Sequence, residues 1–329
     1  MSRLWGLRAV AAVSLAAMAG CAVVCQRELP WPRRRTVSET THLSCLTGVF
    51  RQGDRLLEGR FAIRGVFCAW EEPFPAAALA RIRDADSLPL VTWEPYLARS
   101  PRRDLLPDIA AGREDERLRR FAAAAAAYRG PVLLRFAHEM NGDWYPWSGH
   151  PKLFVEAYRR VHEAFAAAGA PNVRFVFGIN AEDVPAGRHN RFEAYDPGPA
   201  FVDMVGIDVY NWGDFKPWSR WRGPRRLMEP AYERAVAAFP DKPILLSEVG
   251  SCPSGGDKAR WMRELFAELP GRFPAVKAFV WFDVDKECDW SFSRHPGLRA
   301  AFEAGTSAPH FASDPGPLGW LWGKEVPHG

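Results

Sequence analysis

Cysteine and histidine are scarce in this 329-residue chain, six and eight in all, and neither is spaced to hold zinc: there is no CxxC pair and no His/Cys cluster. His138-Glu139 begins like the HExxH of zinc proteases, but Gly142 stands where the second His belongs. The Gly-rich run Ser254–Lys258 lacks the Gly-Lys-Ser/Thr ending of a P-loop, and no GxSxG nucleophile elbow occurs. Nothing in the sequence therefore argues for a metal, a nucleotide or any other cofactor. A dominant charge sign is also missing. The 43 Lys+Arg exceed the 39 Asp+Glu by four, and this excess lies wholly in residues 1–42, where six Arg accompany two Glu. The balanced remainder gives no basic face for displacing counterions from phosphates, so no nucleic-acid partner is expected.

Long apolar runs are absent too. Ala9–Gly20, after the basic Arg3 and Arg8, is about 12 residues of apolar and small side chains, short of the roughly 20 that span a bilayer. Its length suits the core of a secretory signal, and export is the expected outcome. Leu15–Cys21 also resembles a bacterial lipoprotein signal, which would make Cys21 a lipidated first residue and a membrane tether. Cleavage by an ordinary signal peptidase and an uncleaved anchor are the alternatives. Residues 22–44, with Arg33–Arg35 beside Pro30 and Pro32, read as a solvated tether. Exported chains can form disulfides. With Cys21 set aside, five cysteines remain, so at least one thiol lacks an intramolecular partner. Cys252 with Cys288 is the preferred bridge, because both follow neighbouring strands; Cys45 with Cys68 is the second candidate.

A content of 47% hydrophobic and 25% charged residues describes an ordinary globular protein and excludes disorder as the main state. From residue 45 onward, apolar runs rich in Val, Ile, Leu and Phe alternate with stretches of helical period. The expected strands are Cys45–Phe50, Phe61–Cys68, Leu88–Trp93, Val132–His138, Val173–Ile179, Phe201–Val209, Ile244–Glu248 and Val276–Phe282. Between most of them lie helical signals. In Glu114–Tyr128 the residues Leu118, Phe121, Ala122, Ala125 and Tyr128 recur at steps of three and four, and Pro151–Ala168 places Phe154, Ala157, Tyr158, Val161 and Phe165 on one stripe. Alternation of this kind implies parallel strands with crossovers, and eight strands close a barrel. The expected fold is an α/β (β/α)8 TIM barrel over residues 45–305, a single domain, followed by a tail at 306–329. An open doubly wound sheet is the alternative. In both architectures chemistry belongs at the C-terminal ends of the strands.

Two strands break the apolar rule there. Val132–Glu139 starts as a buried strand and ends in His138-Glu139, and Ile244–Glu248 ends in a second Glu. Each acid alone could cap a helix or pair with an Arg. Two on separate strands of one rim fit glycoside cleavage, in which one carboxyl protonates the leaving oxygen and the other attacks the anomeric carbon.

At these residues the sequence resembles glycoside hydrolase family 26, the family of β-mannanases and related endo-glycanases. Arg135-Phe136-Ala137-His138-Glu139-Met140-Asn141-Gly142 looks like its acid/base motif, and Leu246-Ser247-Glu248-Val249-Gly250 like its nucleophile motif; Val202–Tyr210 and Lys277–Phe282 add support. The resemblance implies Glu139 as general acid/base and Glu248 as nucleophile. Glu139 must then hold its proton near neutrality, and Arg135, on its side of the strand by period two, would keep Glu248 ionised unless it is a purely structural ion pair. The resemblance further implies His138 as a sugar-hydroxyl contact, Asn141 and Asn180 as rim contacts, Tyr210 as the group orienting the nucleophile, and Trp281 as the aromatic floor under the sugar. Trp144, Trp147, Trp93 and Trp212 follow strand ends and would extend that platform, with core packing the alternative for each. Glu94 and Asp283 are two further acids expected on the rim.

The implied activity is retaining hydrolysis of a β-linked polysaccharide by an exported monomer. β-1,4-Mannan is the family default, and β-1,3-xylan or mixed-linkage β-glucan the nearest alternatives. From another class, a non-catalytic polysaccharide-binding envelope protein on the same barrel is the rival.

Overall fold

The structure is a computed structural model that describes residues 44–322. The expected signal, Cys21, Cys25 and the tether up to residue 43 lie outside the described residues. The apolar runs form eight strands: β1 (Cys45–Phe50), β2 (Ile63–Ala69), β3 (Leu88–Glu94), β4 (Val132–Phe136), β5 (Val173–Asn180), β6 (Met204–Asn211), β7 (Ile244–Ser251) and β8 (Val276–Phe282). Each pairs in parallel with its successor, and β8 pairs with β1, so the sheet closes into the (β/α)8 barrel and the open sheet is excluded.

The helices are α1 (Ala76–Asp84), α2 (Leu106–Ala110), α3 (Asp115–Tyr128), α4 (Pro151–Ala167), α5 (Pro224–Ala238), α6 (Lys258–Arg272) and α7 (Pro296–Thr306). The stripes expected on α3 and α4 face the core. Two crossovers have no α-helix. β1 reaches β2 through a single 3-10 turn (Gly53–Leu57), and β5 reaches β6 through three short 3-10 turns between Arg188 and Phe201. The latter segment carries Pro185, Gly187, Pro197, Gly198 and Pro199, which break any helical run.

Period two divides each strand between two cores. Val132, Leu134 and Phe136 of β4 pack outward under the helices, while Leu133 packs inside the barrel with Leu46, Leu90 and Leu245. The segment after α7 is built into the fold: β9 (Phe311–Ala312) pairs with Cys45 and Leu46 of β1, and Leu318 and Leu321 join the inner cluster. Arg174, on β5, donates to the Leu321 carbonyl at 2.6 Å.

The Cys252–Cys288 disulfide is present, with 5.9 Å between the Cα atoms. Cys45 and Cys68 are instead two separate buried thiols. Cys45 lies on β1 under β9, whereas Cys68 lies five residues into its neighbour at the other end of the barrel wall. Burial pushes both thiols up to about 12.

Candidate active site

Polar residues become frequent on the inner face only toward the C-terminal strand ends. Arg135 of β4 is buried, and a guanidinium there requires compensating acceptors. Its Nη1 donates to both Asp208 oxygens at 2.7 Å, its Nε and Nη2 to Thr92 Oγ1 at 3.1 and 2.8 Å, and its Nη2 also to Glu248 Oε1. β3, β4, β6 and β7 thus meet at one cation. Asp208 also accepts from Ser247 Oγ. Burial pushes Asp208 up to about 7; Arg135 opposes this and the Glu248 charge adds to it.

Glu248 owes its direction to an irregularity in β7. Leu246 pairs with Phe279 and Val249 with Trp281, so three steps on β7 oppose two on β8. The extra residue turns both Ser247 and Glu248 toward the inner face, the re-aiming role of a β-bulge beside an active site. The second Glu248 oxygen accepts from Tyr210 Oη at 2.5 Å. Burial and the adjacent Glu248 charge hold that phenol well above its usual range, so it serves as a donor. Tyr210 thus adjoins Glu248 directly.

Glu139 reaches the cleft by a different device. β4 ends at Phe136, and Ala137 and Glu139 both have left-handed backbone, φ 48° and 52°. Such conformations cost roughly 1–3 kcal/mol each in non-glycine residues and persist where the surroundings impose them. Here the Ala137 amide donates to the Trp93 carbonyl at 3.1 Å and the Glu139 amide to the Gly178 carbonyl at 2.9 Å. Glu139 Oε2 accepts from the Trp144 indole at 2.7 Å. Gly142 makes room for that indole, because a Cβ there would come within 2.6 Å of it. Burial first, then the Asp208 and Glu248 charges, raise the Glu139 carboxyl well above the ordinary range, against the pull of Trp144 and Arg135.

Both acids line one open cleft of about 830 Å³ at the C-terminal mouth. Trp144, Trp147, Asn180, Tyr210, Trp212 and Glu94 also line it. Glu94 is raised to about 7, by burial and then by Glu248. His138 lies beneath the lining: its Nε2 is 3.0 Å from Tyr145 Oη, and burial holds its ring well below its usual value, hence neutral. His138, Glu139 and Asp208 bring ligand-type atoms within 4.8 Å of one another. The Arg135 guanidinium already occupies the Asp208 carboxylate, which leaves no anionic set for a metal ion there.

Besides His138, which is buried against Tyr145 and does not meet the cleft as the expected sugar-hydroxyl contact, four of the expected rim residues sit elsewhere. Trp93 points outward from β3, stacked between Trp70 at 4.3 Å and Phe121 at 3.8 Å. Trp281 likewise lies on the outer face of β8, against Trp261 and Phe302, and is not the floor of the cleft. Asp283 is buried under Arg51, with Nε to Oδ2 2.6 Å, and accepts the Phe292 and Ser293 amides. Asn141 is buried too. Its amide group exchanges hydrogen bonds with the Asn180 backbone and donates to Asp183, so it braces the β5 end.

On the β8 side the cleft is lined instead by Trp290, itself buried. Its ring lies 4.9 Å from Tyr210, and its carbonyl accepts the Trp281 indole at 2.9 Å. Trp290 stands in an irregular loop with no period to expose it. Asp208 was within reach of sequence reasoning, since an acid inside a buried strand is the same signal that marked Glu139 and Glu248. Tyr145, Phe67 and Lys286 also line the cleft; nothing in their local pattern sets them apart.

A closed eight-stranded barrel whose mouth carries two acids, from β7 and from the turn after β4, defines a class of carbohydrate-active barrel. Residues 116–240 match the family model described as Glycosyl hydrolase family 26, and the chain belongs to that family. It is 34% identical over 253 residues to Endoglucanase H of Acetivibrio thermocellus, a match covering 73% of this chain and 27% of that one. It is 24% identical over 184 residues to a mannan endo-1,4-beta-mannosidase of Bacillus subtilis, covering 52% of this chain and 43% of the relative. The chain thus spans less than half the length of these curated relatives. Among solved structures, a β-mannanase of Bacteroides ovatus superposes with a TM-score of 0.64 at 14% identity, covering 89% of this chain and 97% of that one. A modular endo-β-1,4-mannanase of Cellulomonas fimi gives 0.62 at 17%, covering 90% and 79%. These two likenesses show the fold.

Proposed function

We propose that the chain is a retaining glycoside hydrolase that cuts a β-linked polysaccharide, with Glu248 as nucleophile and Glu139 as general acid/base. One observation carries this reading: two carboxyls in one open cleft have opposite surroundings. Glu248 accepts from a guanidinium and a phenol, the partners of an anion, while burial and the Asp208 and Glu248 charges hold the Glu139 carboxyl well above the ordinary range. In the first step a Glu248 oxygen attacks the anomeric carbon, the glycosidic C–O bond breaks, and Glu139 gives its proton to the departing oxygen. In the second, Glu139 takes a proton from water as that water's oxygen displaces Glu248. Two inversions leave the β configuration. Tyr145, half-buried on the cleft lining, offers a ring for the sugar's C–H face.

β-1,4-Mannan is the proposed substrate, supported by the mannanases among the relatives and structural neighbours. A β-glucan is the second reading, favoured by the 253-residue match to an endoglucanase. The Cys252–Cys288 bridge supports export to an oxidising compartment; lipidation of Cys21 remains part of the same proposal. Incubation with mannan, mixed-linkage glucan and β-1,3-xylan, with assay of new reducing ends, tests the reading. Release from one of them, lowered at least 10³-fold in Glu248→Ala, is expected. Full turnover by that variant would reject Glu248 as nucleophile, whereas binding without release from any of the three would leave the binding-protein rival.

A further inference from the structure

Among the described residues three large hydrophobic side chains are well exposed: Trp144 at 46%, Phe215 at 43% and Trp218 at 68%. Trp144 belongs to the acid. The other two stand on the β6–α5 loop, beside Trp212. An indole held in water forgoes the burial that would otherwise stabilise the fold, so its exposure calls for a reason.

The loop is braced in a way that keeps Trp218 out. The Asp214 amide donates to the Ser254 carbonyl at 3.1 Å, the Phe215 amide to the Trp212 carbonyl at 3.1 Å, and Ser219 Oγ to the Gly213 carbonyl. Gly213 has φ +55°, and a Cβ on it would fall 1.9 Å from the Ser254 carbonyl oxygen, so no other residue fits this close approach. Aromatic contact then runs unbroken from the cleft outward. Tyr210 meets Trp290 at 4.9 Å, Trp290 meets Trp212 edge-on at 4.8 Å, and Trp212 meets Trp218 at 5.6 Å. Trp212 and Trp218 are part of the wall of the cleft that holds Glu139 and Glu248. Lys216 lies over Trp212 and Phe215, 5.4 and 5.0 Å from their centroids. Trp218 is thus the ring in this group left uncovered.

We propose that Trp218, backed by Trp212, is a sugar-stacking platform at the outer end of the cleft, taking a backbone pyranose of a β-linked polysaccharide remote from the bond that is cut. This rests on the hydrolase reading. A flat ring continuous with an open cleft suits the C–H face of a chain threaded past the acids, and a rigid loop spends no ordering entropy on binding.

The test is calorimetric, in a Glu248→Ala background, with β-1,4-linked manno- and gluco-oligosaccharides from disaccharide to hexasaccharide. Affinity is expected to rise with length. Adding Trp218→Ala should remove the increment gained by the longer oligomers, about tenfold in Kd, and Trp218→Phe should restore most of it. Identical length dependence with and without Trp218, or an equal loss at every length, overturns the platform. Polymer cleavage by the otherwise unaltered chain is measured alongside. If cleavage persists while Trp218 proves indifferent, only the platform falls; if the chain neither cleaves nor binds any oligomer, both readings fall together.

Discussion

Glu139 combines burial, two neighbouring acidic groups and an indole donor, and its protonation sets the expected pH behaviour. The protonated form is the one that starts the cycle, so the alkaline limb of kcat/KM should appear only as pH rises through the raised Glu139 value. A pH–rate profile should therefore keep full activity well above the roughly 4.3 of a free glutamate; an alkaline limb near that value would contradict the assignment. Linkage gives a second check. A folded-state value above the unfolded one means that the stability tied to this group is complete below the unfolded value and is lost as pH rises through the folded one. Glu139→Gln removes that loss while abolishing most turnover. Its Tm should exceed the parent's by about 2–4 °C at pH 8 and converge with it at pH 4; an equal or lower Tm at pH 8 would argue against the burial invoked here. Arg135→Met leaves Asp208 and Glu248 without their cation and should cost about 3–5 kcal/mol in chemical denaturation. A change under 1 kcal/mol would show the cluster to be slack. At this scale Glu139 and Glu248 were legible, because each is acidic where the end of a buried strand should be apolar; Arg135 followed from its place four residues before Glu139, and Tyr210 from the family resemblance alone. Trp281 was misjudged through the resemblance and Trp93 through its place at a strand end. They are placed by parity along the strand, and each falls on the outward step.

The strands and helices α3 and α4 follow from periodicity alone, and only their ends moved. What periodicity could not supply were the bulge at Ser247-Glu248 and the left-handed turns at Ala137 and Glu139, which decide where the acids point. Both depend on pairing with neighbours far along the chain. The β8–α7 loop is a similar case. It brings Lys286, Glu287 and Trp290 to the cleft, and the Cys252–Cys288 bridge ties it to the end of β7 across 36 residues of sequence. Replacing both cysteines by serine should lower stability by about 2–4 kcal/mol. Because Trp290 rides on this loop, KM for polysaccharide should rise more than kcat falls. Unaltered KM would mean that the Asp283 and Lys258 hydrogen bonds hold the loop without the bridge.

As a whole the barrel separates its two ends by task. Stability is concentrated in the outer core and at the N-terminal mouth, where Leu318, Leu321 and β9 cover the inner cluster. Deleting residues 307–329 exposes two buried leucines, each worth about 1.5–3 kcal/mol, and a marked fall in Tm is expected; an unchanged Tm would mean that the mouth is closed without them. The closed ring was legible from eight alternating units, whereas the use of the tail as a plug was not, since its Gly/Pro-rich sequence carries no period. At the opposite mouth the site depends on opposed carboxyl environments across one cleft. Proton NMR of the first product, before mutarotation, reads that chemistry most directly. A newly released reducing end in the β configuration is the predicted result, and α-configured product at the earliest time point would contradict the double displacement through Glu248.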